Sequence, residues 1–434
     1  MNDIQLTLLI VFPLLLLLGL PIYLSLGMTG FAVVYLMDYP FTFATQSILN
    51  GVDNFPLLAI PAFILAGNIM EKGGITKDII SIFRHAFGHI HGSLGIVTIF
   101  SCMFFAAISG SGPGTVAAIG AIMIPSMIKH GYPAPYAASV SATGGTLGVM
   151  IPPSNPMIIY AIIANISIAD FFAAGLLPGI FTGIVLALTA SWMAKRSGAI
   201  VITPKEEQKK ESGSIWTKVW QGKFALFLPV LILGGIYSGF FTPVEASIVA
   251  VVYAFVVAKW VYGELDLPKL EAAMIQTHMI TGALMIVVAC STLFAKNITF
   301  QNIPQQLAES VSSISSNPLV ILLMINIVLL IVGTFMETIS AIIILAPILV
   351  PLVTSFGIDP IHFGIILIVN IEIAFLTPPL GVNLFVASKL ANIPIEKMFR
   401  STVPFVLMLI FVLAVITLVP AISLTLPQLL RSGF

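Results

Sequence analysis

Two short runs in this chain place hydroxyls, glycines and prolines where an apolar segment would ordinarily continue as helix. The first is Ser109-Gly110-Ser111-Gly112-Pro113-Gly114-Thr115. Its glycines let the backbone turn sharply and approach a ligand closely, and its hydroxyls and carbonyls are oxygen ligands without fixed charge. A helix beginning near Pro113-Gly114-Thr115 would aim free N–H groups and the positive end of its dipole at the turn, which suits an anionic group. Carbonyls freed at the end of the preceding helix suit a hard cation such as sodium. The second run carries Gly333-Thr334 and Glu337-Thr338.

Each run is followed by a proline-broken stretch. Gly144-Gly145-Thr146-Leu147-Gly148-Val149-Met150-Ile151-Pro152-Pro153-Ser154-Asn155-Pro156 is the most unusual in the sequence. Such a density of glycine and proline predicts unwinding along this stretch, with carbonyls exposed opposite the first turn and Ser154 and Asn155 as further acceptors. Asn370 to Asn383, with Thr377-Pro378-Pro379-Leu380-Gly381-Val382-Asn383, reads the same way. Lipid cannot satisfy the backbone groups freed at such breaks, so both must lie inside protein. Paired interrupted helices point to a binding site near the membrane midplane.

Three carboxylates lie in or beside apolar segments. Glu245 follows Thr242-Pro243 and predicts a first-turn cap. Glu337 and Glu372 could each be a proton carrier, a sodium ligand or a structural group, and capping is the preferred reading for Glu337. Other chemistries are excluded. No Gly-Lys-Ser/Thr follows the glycine run and no strand precedes it, which removes nucleotide binding and ATP-driven transport. A membrane enzyme would need paired intramembrane aspartates or a Ser/His arrangement; His278 and His362 sit near segment ends. Cys102 and Cys290 lie in apolar segments and read as small core residues, not a disulfide. His85, His89 and His91 beside Arg84 read as an interfacial segment, and Trp216 and Trp220 with Lys218 and Lys223 as an amphipathic helix on the inner surface.

The elements that must position these residues follow from composition. The chain of 434 residues is 58% hydrophobic and 8% charged, with mean hydropathy +1.09. A soluble protein would be about a quarter charged. Apolar runs near the roughly 20 residues needed to cross a bilayer recur throughout, which predicts an all-α polytopic membrane protein and not a barrel. Leu6–Leu20 lacks a basic flank and a cleavage site, so it reads as the first span. Six apolar blocks (residues 1–194), a polar cytoplasmic linker (195–223) and six more blocks (224–434) suggest duplication. Pro125, Gly131, Pro152 and Pro153 match Pro351, Gly357, Pro378 and Pro379 at one constant offset.

Charge placement sets the topology. If blocks 94–128 and 318–354 are re-entrant hairpins, and the other blocks span from an outside N-terminus, all of the 18 basic residues except Lys296 and Arg431 fall inside. The positive-inside rule is then satisfied. Five crossings per half make the halves an inverted repeat, each with one hairpin and one broken helix (134–163 and 361–391), and place both termini on the periplasmic side.

In the quoted motifs the sequence resembles the large membrane subunit of tripartite ATP-independent periplasmic (TRAP) transporters, the DctM-like family. The most telling pieces are the Ser109–Thr115 run, Gly144 to Ser154 and Thr377 to Asn383. The resemblance implies an elevator-type, sodium-coupled importer of small organic anions such as dicarboxylates or sugar acids, in the bacterial inner membrane. It also implies a periplasmic substrate-binding protein and a small four-helix membrane subunit, here expected to be separate because the chain starts at its first span. Nucleic acid is not an expected partner, and the chain is not an enzyme. Family sodium sites carry over to Ser109, Ser111, Gly144, Gly145, Gly148, Pro152, Gly333, Thr334, Thr338, Thr377 and Gly381. Substrate candidates are Gly114, Thr115, Ser154, Asn155, Glu337 and Asn383. The alternative is a stand-alone sodium/dicarboxylate symporter, which neighbouring genes for the two partners would rule out.

Overall fold

The computed structural model describes residues 3–88, 90, 92–196 and 215–432. The expectations for His89, His91 and the lysine-rich part of the linker lie outside these residues. Every element among the described residues is helical, and eight helices are long and apolar enough to cross a membrane.

Local chemistry explains where the helices start. Pro243, Pro318 and Pro360 each occupy a first helical position, where the missing N–H costs nothing. Thr242 and Glu245 form a reciprocal capping box: Glu245 N donates to Thr242 Oγ1 at 3.3 Å and Thr242 N donates to Glu245 Oε2 at 2.8 Å. Glu245 therefore has the capping role its position predicts. Asp266 and Asp359 cap the next helices by accepting from Lys269 N (2.8 Å) and Ile361 N (2.7 Å).

Both hairpins form as helix–turn–helix units, Ser93–Ser109 with Gly112–Lys129 and Pro318–Gly333 with Thr338–Ser355. The broken segments become helix pairs, Ala134–Met150 with Asn155–Ile163 and Pro360–Ala374 with Val382–Ala391. Both Pro-Pro bonds in the breaks are cis.

The structure corrects several details. Gly144, Gly145 and Gly148 remain helical, and only residues 151–154 leave the helix. Tertiary packing overrides the weak helix propensity of glycine, because these glycines form a groove for the first hairpin. A Cβ at Gly145 would stand 3.0 Å from the Gly112 oxygen, and one at Gly148 would run into the Ser111 carbonyl. The last apolar block splits into Ile395–Leu418 and Ala421–Arg431, since Pro420 cannot continue the helix. Amphipathic helices Phe41–Val52, Ile75–Phe87 and Ile303–Ser312 lie between the apolar blocks. His278 falls inside the 34-residue helix Leu267–Phe300, not near its end.

The helices sort into two packed groups. Ile22–Leu36, Phe41–Val52, Ala59–Lys72, Pro243–Val256 and Leu267–Phe300 pack on one another. Both hairpins, both broken pairs, Ile168–Arg196 and Ile395–Leu418 form the other group, with Ala134–Met150 at its centre. The groups meet where Ala59–Lys72 touches the first hairpin and Leu267–Phe300 touches the second. Beyond the end of Pro243–Val256, the Tyr262 hydroxyl donates to Asp78 Oδ2 of Ile75–Phe87 at 2.6 Å; burial first, and then this carboxylate, push its pKa above the usual tyrosine range. Cys102 and Cys290 are free thiols. Ile215–Gln221 is helical, with Trp216 and Trp220 exposed and Lys223 Nζ 3.9 Å from the Trp220 ring.

Candidate functional site

The first hairpin turn is organised by its own hydroxyls. Ser111 is extended and caps the second arm, its Oγ accepting from Gly114 N at 3.3 Å. Thr115 Oγ1 donates to the Ser111 carbonyl at 2.8 Å and lies 2.8 Å from Ser109 Oγ. Gly110 adopts a left-handed conformation, φ +57°, and a Cβ there would meet the Pro153 carbonyl oxygen at 2.9 Å. Only glycine allows both that backbone and that approach. The turn and the first break therefore touch, as the motifs predict. Ser109, Thr115, Ser154 and Asn155 are all buried, whereas a loop joining two spans would lie at the membrane surface.

The second turn uses a charge where the first uses a hydroxyl. Glu337 is the N-cap of Thr338–Ser355, its Oε2 accepting from Ile339 N at 3.0 Å and Ser340 N at 3.3 Å. Capping is thus the observed role of this carboxylate, favoured by the positive end of the arm. The Thr334 carbonyl accepts from Leu380 N at 3.2 Å, tying the second turn to the second break. Gly333 packs on Ala374, and Thr377 Oγ1 donates to the Ile373 carbonyl at 2.9 Å. Gly381 is left-handed, φ +45°, and starts Val382–Ala391. Asn383 reaches across to the first half, donating to the Ala142 carbonyl at 3.2 Å.

A cavity of about 350 Å³ joins the two turns. Of the sequence candidates, Ser109, Ser111, Gly114, Asn155, Glu337 and Thr338 line it. The remaining candidates support the turns from behind or, like Gly333, Thr334, Thr377 and Gly381, belong to the second turn and break. Its outer wall is Asn68 and Glu71 from Ala59–Lys72 and Gln276 from Leu267–Phe300. Several buried oxygens around the turns have no hydrogen-bond partner among the described residues: Ser154 Oγ, Asn155 Oδ1, Thr338 Oγ1 and Asn383 Oδ1. Native buried polar atoms are nearly always satisfied, so these lone pairs are available to an ion or a polar ligand. Glu372, fully buried two residues before the end of Pro360–Ala374, likewise has both oxygens without a partner.

Residues 9–422 match the family profile described as "Tripartite ATP-independent periplasmic transporter, DctM component". The chain belongs to the DctM family. This permease is 40% identical over 406 residues to the C4-dicarboxylate TRAP transporter large permease protein DctM of Pseudomonas aeruginosa, covering 93% of this chain and 94% of that one. It is 38% identical over 403 residues to the 2,3-diketo-L-gulonate TRAP transporter large permease protein YiaN of Escherichia coli, covering 93% and 94%. It is also 40% identical over 414 residues to the isethionate TRAP transporter permease protein DctMQ of Oleidesulfovibrio alaskensis; the match takes in 95% of this chain but spans only 65% of that longer relative. Among solved structures, the YdaH transporter of Alcanivorax borkumensis shares the fold at TM-score 0.63 with 13% identity, over 88% of each chain. The DctM-family permease is a multi-pass membrane transporter component and not an enzyme.

Asn68, Glu71 and Gln276 of this permease carry no motif that would mark them as site residues. Their signal in the sequence is weaker: polar side chains inside apolar segments. Asn68 Nδ2 donates to Thr277 Oγ1 at 2.9 Å, which joins the two helices that form the wall.

Proposed function

We propose that this chain is the large permease subunit of a sodium-coupled, binding-protein-dependent importer of small organic anions, carboxylates such as dicarboxylates or sugar acids. The observation that carries the reading is the cavity between the two turns, ringed by hydroxyls, carbonyls and helix N-termini and closed by a second helix group. Relatives named for C4-dicarboxylates, sialic acid and 2,3-diketo-L-gulonate support the substrate class. The partners are a periplasmic substrate-binding protein and a small four-helix membrane subunit, in the bacterial inner membrane, with both termini of this chain periplasmic.

Sodium fits the first turn because oxygen donors without fixed charge converge there: Ser109 Oγ, the Ser111 and Pro153 carbonyls and the orphaned Asn155 Oδ1. Pro152 holds the break that presents them. Gly333, Thr334, Thr338, Thr377 and Gly381 form the corresponding second place. Gly144, Gly145 and Gly148 serve as the groove that seats the first hairpin, and the Gly148 carbonyl, whose helical donor position falls on Pro152 with no N–H, is a further oxygen open to the ion. The anion takes the N-terminal ends of the hairpin arms, at Gly114 and Thr115, with Asn155. The two halves act as an inverted repeat and the hairpin group moves as an elevator against the other helices.

Uptake of radiolabelled organic acids into proteoliposomes tests this. Transport is expected to need an inward sodium gradient together with both partner proteins, and Ser111→Ala is expected to raise the sodium concentration for half-activation several-fold. Uptake driven equally well by a proton gradient without sodium would overturn the coupling.

A further inference from the structure

A second cavity, of about 890 Å³, lies away from the turns. It is bounded by the end of Phe41–Val52 (Asn50) with Asn54 beyond it, the end of Asn155–Ile163, the last third of Leu267–Phe300 (Thr292, Lys296, Thr299) and the far end of the second hairpin arm (Ser355). These four segments are remote in sequence. The charge distribution assigns every one of them, separately, to the outer face.

Lys296 is the feature that needs an explanation. It and Arg431 are the two basic residues placed outside, against the prevailing segregation. Arg431 is paired with Asp170 at 2.6 Å. Lys296 is half-buried in the cavity wall, its Nζ 3.3 Å from Ser47 Oγ and 5.9 Å from the Phe43 ring centroid. Among the described residues, no aspartate or glutamate lines this cavity. A partly desolvated ammonium without a carboxylate, in a largely apolar chamber whose polar groups are hydroxyls and amides, is a receptor for an oxyanion. The turns themselves supply no lysine or arginine to an anionic substrate.

We propose that this chamber is an outer anion-capture site, in which Lys296 pairs with a carboxylate of the incoming organic acid while Asn50, Asn54, Thr292 and Thr299 offer hydrogen bonds. The chamber lies between the two helix groups, with Leu267–Phe300 on one side and the second hairpin on the other. An anion held there sits on the route from the outer face to the turns. The proposal rests on the transporter reading, and deepens it by naming a residue that recognises the substrate's charge.

Succinate serves as the probe, with the full chain in proteoliposomes. Millimolar succinate is expected to raise the thermal unfolding temperature of the wild-type chain and to slow modification of Lys296 by a membrane-impermeant amine reagent added outside. Lys296→Gln should weaken the succinate response about tenfold, and Lys296→Arg should keep it within about twofold, since loss of a charge-assisted hydrogen bond is the difference. Lys296→Gln should also raise the KM for uptake while leaving sodium activation unchanged. An equal succinate response in wild type and Lys296→Gln would overturn the proposal. So would a Lys296-dependent response to phosphatidylglycerol vesicles without one to succinate, which would make the chamber a lipid-phosphate site. If wild type shows the Lys296-dependent response but no sodium-driven uptake, the coupling reading fails and the capture site stands.

Discussion

At the scale of single residues, the two hairpin turns solve one problem with different chemistry. Each second arm starts in the protein interior with N–H groups that no preceding turn can satisfy. Ser111 offers one hydroxyl acceptor, and Glu337 offers a carboxylate oxygen to two amides. Glu337→Ala is therefore expected to destabilise the chain by about 1–2 kcal/mol, in the range of a lost N-cap, while Glu337→Gln retains an acceptor and loses less. Thermal or denaturant unfolding in detergent checks both. An alanine variant as stable as wild type would show that the cap does not hold the second arm. Both turns were legible in the sequence because proline, glycine and hydroxyl residues inside apolar runs have few other uses. Glu372 was legible only as an oddity, since nothing in the chain order tells which neighbours it meets.

At the scale of elements, the boundaries of both hairpins and both broken pairs follow closely from the apolar blocks, with helix starts fixed by proline and capping residues. The extent of unwinding does not. Gly144, Gly145 and Gly148 look like helix breakers when read beside Pro152 and Pro153, yet the helix runs through them to Met150. What the sequence cannot display is the arm of the first hairpin lying against those glycines. Gly148→Ala should accordingly cost about 1–3 kcal/mol through overpacking against Ser111 and Thr115. Gly282→Ala, in an exposed part of Leu267–Phe300 with nothing within 4 Å of the added methyl, should be neutral or stabilise by up to about 1 kcal/mol. Comparing the two unfolding midpoints separates packing from propensity. Equal effects would mean that the groove is not tightly filled.

At the scale of the whole molecule, the division into two helix groups is the property least visible in the chain order, because each half of the sequence contributes to both groups. Ala59–Lys72 and Leu267–Phe300 come from different halves yet share one cavity wall, and Asn383 from the second half hydrogen-bonds beneath the first turn. If the hairpin group moves against the other helices during transport, a covalent link between them must stop turnover, and a link inside one group must not. Gly67 lies on Ala59–Lys72, and a Cβ built there is 3.8 Å from the Ser109 Cβ. That matches the separation typical of a disulfide. Gly120 and Ser141 offer the control, both within the hairpin group and 3.5 Å apart by the same measure. With Cys102 and Cys290 replaced, oxidised Gly67→Cys/Ser109→Cys is expected to lose uptake and to regain it on reduction, to whatever level the Ser109 substitution permits. Oxidised Gly120→Cys/Ser141→Cys should transport as well as its reduced form. Undiminished uptake with the first pair fully cross-linked would mean that the two groups do not move past each other at that contact, and transport would then require a gate confined to the hairpin turns.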